Sequence, residues 1–145
     1  MDYYFSKTLK ITFDEAIAKV TEALKNDGFG VLTEIDVKET LKKKLNVDFR
    51  KYKILGACNP PFAYQALQAE DKIGTMLPCN VIVEEHGNGK VEISAVDPVA
   101  SMQAIENPAL GIPEFRHISM PPGFCALSRP AIATRTVRNP PSRRW

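Results

Sequence analysis

The chain has 145 residues, a 44% apolar fraction and 25% charged residues, which suits one soluble domain with a real core. Its formal net charge of +2 is too small to imply an electrostatic partner. The three cysteines are odd in number and widely spaced, which excludes a disulfide framework and makes reduced cytoplasmic thiols the expectation.

The N-terminus opens on strand-like residues, MDYYFSKTLKI, rather than on a basic segment followed by an apolar one, so a secretory leader is not expected. No apolar run is long enough to span a bilayer, and no membrane partner is expected. Residues 2–9 are rich in aromatic and β-branched types and predict a strand. Thr12 and Glu15 then form a capping-box pattern ahead of an apolar repeat at Phe13, Ala16, Ile17, Val20, Ala23 and Leu24, which predicts an amphipathic helix over 13–26. Gly28 suits its C-terminal stop, since glycine accepts positive φ at low cost. A helix with one apolar stripe must bury it, most simply on a sheet.

The stretch GFGVLTEID reads as a second strand, with Val31, Thr33 and Ile35 alternating against Leu32, Glu34 and Asp36. Asp36, three before Glu39, starts a short helix carrying Val37, Leu41 and Leu45 and ending near Asn46. Its Lys42–Lys44 run is read as a solvated helix face. A third strand places Tyr52, Ile54, Gly56 and Cys58 opposite in phase to Lys53, Leu55, Ala57 and Asn59, with Gly56 marking a bulge or a close backbone approach. Asn59 is a suitable N-cap and Pro60 a suitable first helical residue for a helix that turns Ala63, Ala66 and Leu67 inward and ends near Glu70.

Residues 75–98 predict a hairpin around His86-Gly87-Asn88-Gly89. Leu77, Cys79, Val81 and Val83 share one face of its first strand, and Pro78, Asn80, Ile82, Glu84 and His86 the other. Val91, Ile93 and Ala95 line one face of the return strand, and Asp97-Pro98 opens a helical segment over 98–105 with Val99, Met102 and Ile105 inward. Helices and a hairpin in this order indicate a single compact α+β domain with a largely antiparallel sheet.

The motifs GFGVLTEIDV, YKILGACNP, LPCNVIV and AVDPVASM resemble the DUF302 family, a domain of unknown function, and the resemblance covers residues 3–110. It implies a compact fold similar to the TATA-binding-protein-like class, with helices against a curved antiparallel sheet, and it implies homodimers. It supplies no agreed activity and no catalytic residues, and likeness to a DNA-binding class does not license DNA binding. After Leu110 the chain departs from the family, whose members end in a long charged helix. Residues 111–145 hold six of the 11 prolines, six arginines, no lysine and one acid, for a formal +5, against −3 for the rest. This break in usage reads as a frame shift near Leu110, with a functional basic arm for nucleic acid or anionic surfaces as the alternative.

Candidate chemistry centres on Cys58, Asn59 and Cys79, read as ligand-binding residues. A thiol at a helix start can have its thiolate stabilised by the helix dipole, whereas a small buried thiol is the plainer reading for Cys79. Cys58 and Cys79 lie 21 positions apart without a C-x-x-C motif, and only His86 and His117 are available to join them, so no metal site is expected. No phosphate-binding loop, dinucleotide fingerprint or nucleophile elbow is present, and no cofactor or catalytic residue is indicated. Tyr3, Tyr4, Tyr52 and Tyr64 read as core aromatics with a wet hydroxyl sooner than as pocket walls. A non-catalytic module that binds a small molecule or a partner is the first functional reading. A thiol-dependent enzyme or redox protein using Cys58 is the second, and nucleic-acid binding through the arginine-rich tail, not expected, is the third.

Overall fold

In a computed structural model of the chain, described over residues 3–102 and at 105, 107 and 110, strand, helix and hairpin alternate as the patterning predicts. The elements are β1 (Tyr4–Leu9), α1 (Phe13–Asn26), β2 (Gly30–Asp36), α2 (Val37–Leu45), β3 (Tyr52–Cys58), α3 (Pro60–Ala69), a 3-10 turn (Asp71–Met76), β4 (Cys79–His86), β5 (Lys90–Val96) and α4 (Pro98–Met102). The five strands form one sheet in the order β1-β5-β4-β3-β2, with every neighbouring pair antiparallel. This is the expected α+β domain. The Pro/Arg-rich tail over 111–145, with its frame-shift and basic-arm readings, lies outside the described residues. So do residues 103 and 104 of the expected 98–105 helix and the side chain of Val99.

Helix α1 starts where its cap dictates. Thr12 Oγ1 accepts from the Glu15 amide at 3.2 Å while Glu15 Oε2 accepts from the Thr12 amide at 2.9 Å. Two donors at the helix start are thereby satisfied reciprocally, and the amide bond holds the Glu15 carboxyl below its ordinary range. Gly28 ends the helix at φ 82°, a backbone region that disfavours any other residue.

Phe13, Ala16, Val20 and Leu24 of α1 press onto Leu55, Ala57, Val81, Val83, Val91 and Ile93, which all project from one face of the sheet. Each large side chain removed from water in this layer contributes about 1.5–3 kcal/mol. Ile17, expected inside, is only partly buried and packs at the border of the cluster. A smaller cluster gathers Ala66 of α3, Ile73 of the 3-10 turn and Leu110, with Leu77, Met102 and Ile105 against it. The Asn107 amide nitrogen ties this end down by donating to Ala69 O and Glu70 Oε2, both at 2.9 Å.

Two further expectations are corrected. Val31, Thr33 and Ile35 do not share a face, because β2 pairs Val31 with Ala57 and Thr33 with Gly56, leaving Leu32 as an inserted bulge residue. Val31 therefore faces α1, while Thr33 and Ile35 face the other way. Leu67 of α3 is exposed rather than inward, since the stripe that meets the body of the protein is Phe62, Ala63, Ala66 and Ala69. Helix α2 forms with the predicted Asp36 cap, its Oδ1 accepting from the Glu39 amide at 2.9 Å, but buries none of its residues completely and leaves Leu45 exposed.

Leu24 is 4% exposed at the centre of the α1–sheet layer. Leu24→Ala is expected to lower stability by about 2–5 kcal/mol in denaturant melts, as deletion of core methyl groups does. A loss below about 0.5 kcal/mol would remove Leu24 from the core.

Candidate functional site

The face of the sheet opposite α1 carries the polar and aromatic half of the same alternation. Cross-strand register sets Tyr52 against Glu84, Ile54 against Ile82 and Gly56 against Asn80, then Glu84 against Glu92 and Ile82 against Ser94. Over this floor lies a groove of about 660 Å³, walled by Tyr3 and Tyr4 on one side and by Thr75, Met76, Leu77 and Pro78 on another. Gly56 permits the second wall. A Cβ there would meet Pro78 Cγ at 2.8 Å and collide with Thr33 Oγ1, so a side chain would push the 75–78 segment off the sheet. The expectation of close backbone approach at Gly56 is met in this form.

One end of the groove holds a network of charge. Arg50 donates from Nε and Nη2 to Glu84 Oε2 at 2.9 and 2.7 Å, and its guanidinium lies 4.7 Å from the Phe49 ring centre and 5.6 Å from that of Tyr52. His86 Nε2 is 3.0 Å from Glu92 Oε2 and 3.9 Å from Glu84 Oε1. Ser94 Oγ donates to Glu92 Oε1 at 3.4 Å. Partial burial, and secondarily the Glu84 charge, push the Tyr52 hydroxyl pKa up, which keeps it a neutral donor.

Cys58, Asn59 and Cys79 are brought together beside this groove. They line an apolar cavity of about 30 Å³, enough for about one water, with Phe29, Ala57, Phe62 and Ala63 around them, and Cys79 also borders the groove. Asn59 serves the local fold: its Oδ1 accepts from the Phe62 amide at 3.4 Å and caps α3. Both cysteines are free and partly buried. Burial, and then the neighbouring Cys58, push the Cys79 thiol up and disfavour its thiolate. His86 stands at the far end of eight-residue β4 from Cys79, about 23 Å away along an extended strand, so the two do not share a site. Of the tyrosines, Tyr3, Tyr4 and Tyr52 line the open groove, contrary to the core reading, while Tyr64 is exposed outside it.

Sequence reasoning placed Glu84 and His86 on one strand face but missed Arg50 and Glu92. The available signal was the period-2 pattern of β5, which sets Glu92 and Ser94 opposite Val91 and Ile93 once the hairpin register is fixed.

An antiparallel five-strand sheet with a helix packed on one face and a groove across the other defines a single-domain α+β protein. The chain belongs to the DUF302 family, described as a domain of unknown function, whose model matches residues 5–115. A crystal structure of an uncharacterized conserved DUF302 protein from Bacillus stearothermophilus is similar, with a TM-score of 0.74 and 29% sequence identity over 87% of this chain and 95% of that one. No curated protein matches the chain. Among the described residues no helix is long and apolar enough to cross a membrane.

The raised Cys79 thiol predicts a ranking of reactivity. Near neutral pH, iodoacetamide followed by peptide mapping is expected to label Cys58 faster than Cys79, because the thiolate is the attacking species. Equal or faster labelling of Cys79 would contradict that order.

Proposed function

We propose that this protein is a non-catalytic cytoplasmic module that binds a small organic molecule in the open-face groove and acts as a homodimer. The observation that carries the reading is the groove itself. Its volume of about 660 Å³ falls in the range of about 300–1,000 Å³ usual for small-molecule sites. Its walls pair ring surfaces from Tyr3, Tyr4 and Tyr52 with hydrogen-bonding groups from Thr75, Asn80 and Ser94. Such a lining suits a flat, ring-bearing molecule with polar substituents. The alternative, thiol chemistry at Cys58, has less support, because the adjacent cavity holds only about 30 Å³. Support for a dimer comes from edge strand β1, whose unbroken register with β5 from Tyr4 to Leu9 leaves a regular outer edge among the described residues.

A thermal-shift screen of ring-bearing metabolites tests the groove. At least one compound is expected to stabilise the protein, and Asn80→Trp, which puts a bulky ring in the groove from an exposed position, is expected to abolish that shift while leaving circular dichroism unchanged. The reading fails if no compound binds, or if binding survives in the folded Asn80→Trp variant. Sedimentation at micromolar concentration is expected to give twice the 16.1 kDa chain mass. A monomeric mass at every concentration overturns the dimer.

A further inference from the structure

Glu84 and Glu92 stand directly opposite each other on β4 and β5. Like charges in that position repel, and a sheet keeps them only where a counter-charge is supplied. Arg50 supplies one, but its two hydrogen bonds both go to Glu84 Oε2. Glu84 Oε1 is left facing His86 Nε2 at 3.9 Å. Glu92 is arranged the same way: Ser94 Oγ donates to its Oε1, and its Oε2 faces His86 Nε2 at 3.0 Å. Each carboxylate thus has one oxygen held from outside and the other turned toward the same imidazole nitrogen.

From this arrangement we infer that Glu84 Oε1, His86 Nε2 and Glu92 Oε2 form a binding site for a divalent first-row transition ion such as Zn²⁺. The three ligand atoms lie within 4.8 Å of one another. Ligands about 2.0–2.2 Å from one ion stand about 3–4 Å apart, so small side-chain rotations bring all three into place. One imidazole and two carboxylates suit Zn²⁺ or its neighbours, whereas the nitrogen ligand selects against Ca²⁺ and Mg²⁺. Arg50 and Ser94 orient the carboxylates in the way that outer hydrogen bonds orient metal ligands generally. Two carboxylates set against Arg50 leave the ligand set with one net negative charge for a cation to meet. Three protein ligands leave further coordination positions toward the groove, which Glu84 and Glu92 also line.

The site is independent of the small-molecule reading, because the ion is titrated alone. Isothermal titration of Zn²⁺ into the full chain is expected to show one ion per chain, with Mg²⁺ and Ca²⁺ at least tenfold weaker. His86→Gln and Glu92→Gln are expected to weaken Zn²⁺ binding at least tenfold. Cys58→Ser/Cys79→Ser and His117→Gln are expected to leave it unchanged. In ¹⁵N spectra of the imidazoles, Zn²⁺ is expected to move the His86 Nε2 resonance. Unaltered affinity in folded His86→Gln, loss of binding in the cysteine variant, or a His86 resonance that stays fixed at millimolar Zn²⁺ overturns the site and leaves His86 as a hydrogen-bond partner of Glu92.

Discussion

Among the described residues, the structure depends on burial of one face of the sheet by α1. Phe13, Ala16, Val20 and Leu24 cover Leu55, Val81, Val83, Val91 and Ile93, and that contact commits every odd position of β5 and of the centre of β4 to the interior. Strand side chains alternate strictly, so the even positions must then face away. Asn80, Ile82, Glu84, Glu92 and Ser94 reach the groove for that reason alone. Shifting a strand by one residue would bury the acids and expose the valines. The core layer therefore sets the chemistry of the opposite face as well as the stability of the domain.

That opposite face is not uniform. Near the 75–78 wall it is largely apolar and aromatic, with Ile82, Met76, Leu77 and Tyr4 around a floor where Gly56 lets Pro78 close in. Toward the hairpin it becomes charged, and the charges are cross-braced: Arg50 stacks on Phe49 and Tyr52 while gripping Glu84, and His86 reaches Glu92. Glu84 is only 12% exposed at its side chain, so its ion pair with Arg50 is partly shielded from solvent screening. A ligand lying along the groove meets rings at one end and fixed charge at the other.

Much of the fold was legible because it is written in local codes. Thr12 with Glu15, Asp36 with Glu39 and Asn59 with Phe62 each start a helix through a hydrogen bond between near neighbours, and Pro60 follows Asn59 as the first helical residue. The hairpin turn is equally local, with Asn88 at φ 78° and Gly89 at φ 66°. What escaped is long-range. Arg50 meets Glu84 across 34 positions, a distance at which no spacing rule applies. The bulge at Leu32 has no residue signature, and it silently reverses the faces of Thr33 and Ile35. The 3-10 turn over Asp71–Met76 was missed because its only buried residue, Ile73, shows no repeat. Cys58 and Cys79 were legible as a pair, but their enclosure in a small apolar cavity depends on Phe29 and Phe62, which arrive from two other elements.

The Leu32 bulge also bears on symmetry. Among the described residues, edge strands β1 and β2 both present unpaired backbone, yet β2 is interrupted between Val31 and Thr33, and a bulged edge makes a poor template for a further strand. β1 keeps an unbroken register with β5 from Tyr4 to Leu9 and retains a regular outer edge. Among the described strands, one side of the sheet is therefore competent for strand addition and the other is not. A dimer formed by antiparallel addition of two β1 edges about a twofold axis would use up the regular edge of both copies and close at ten strands. Growth by that route would stop there, because neither outer β2 edge would offer a regular ladder to a third copy.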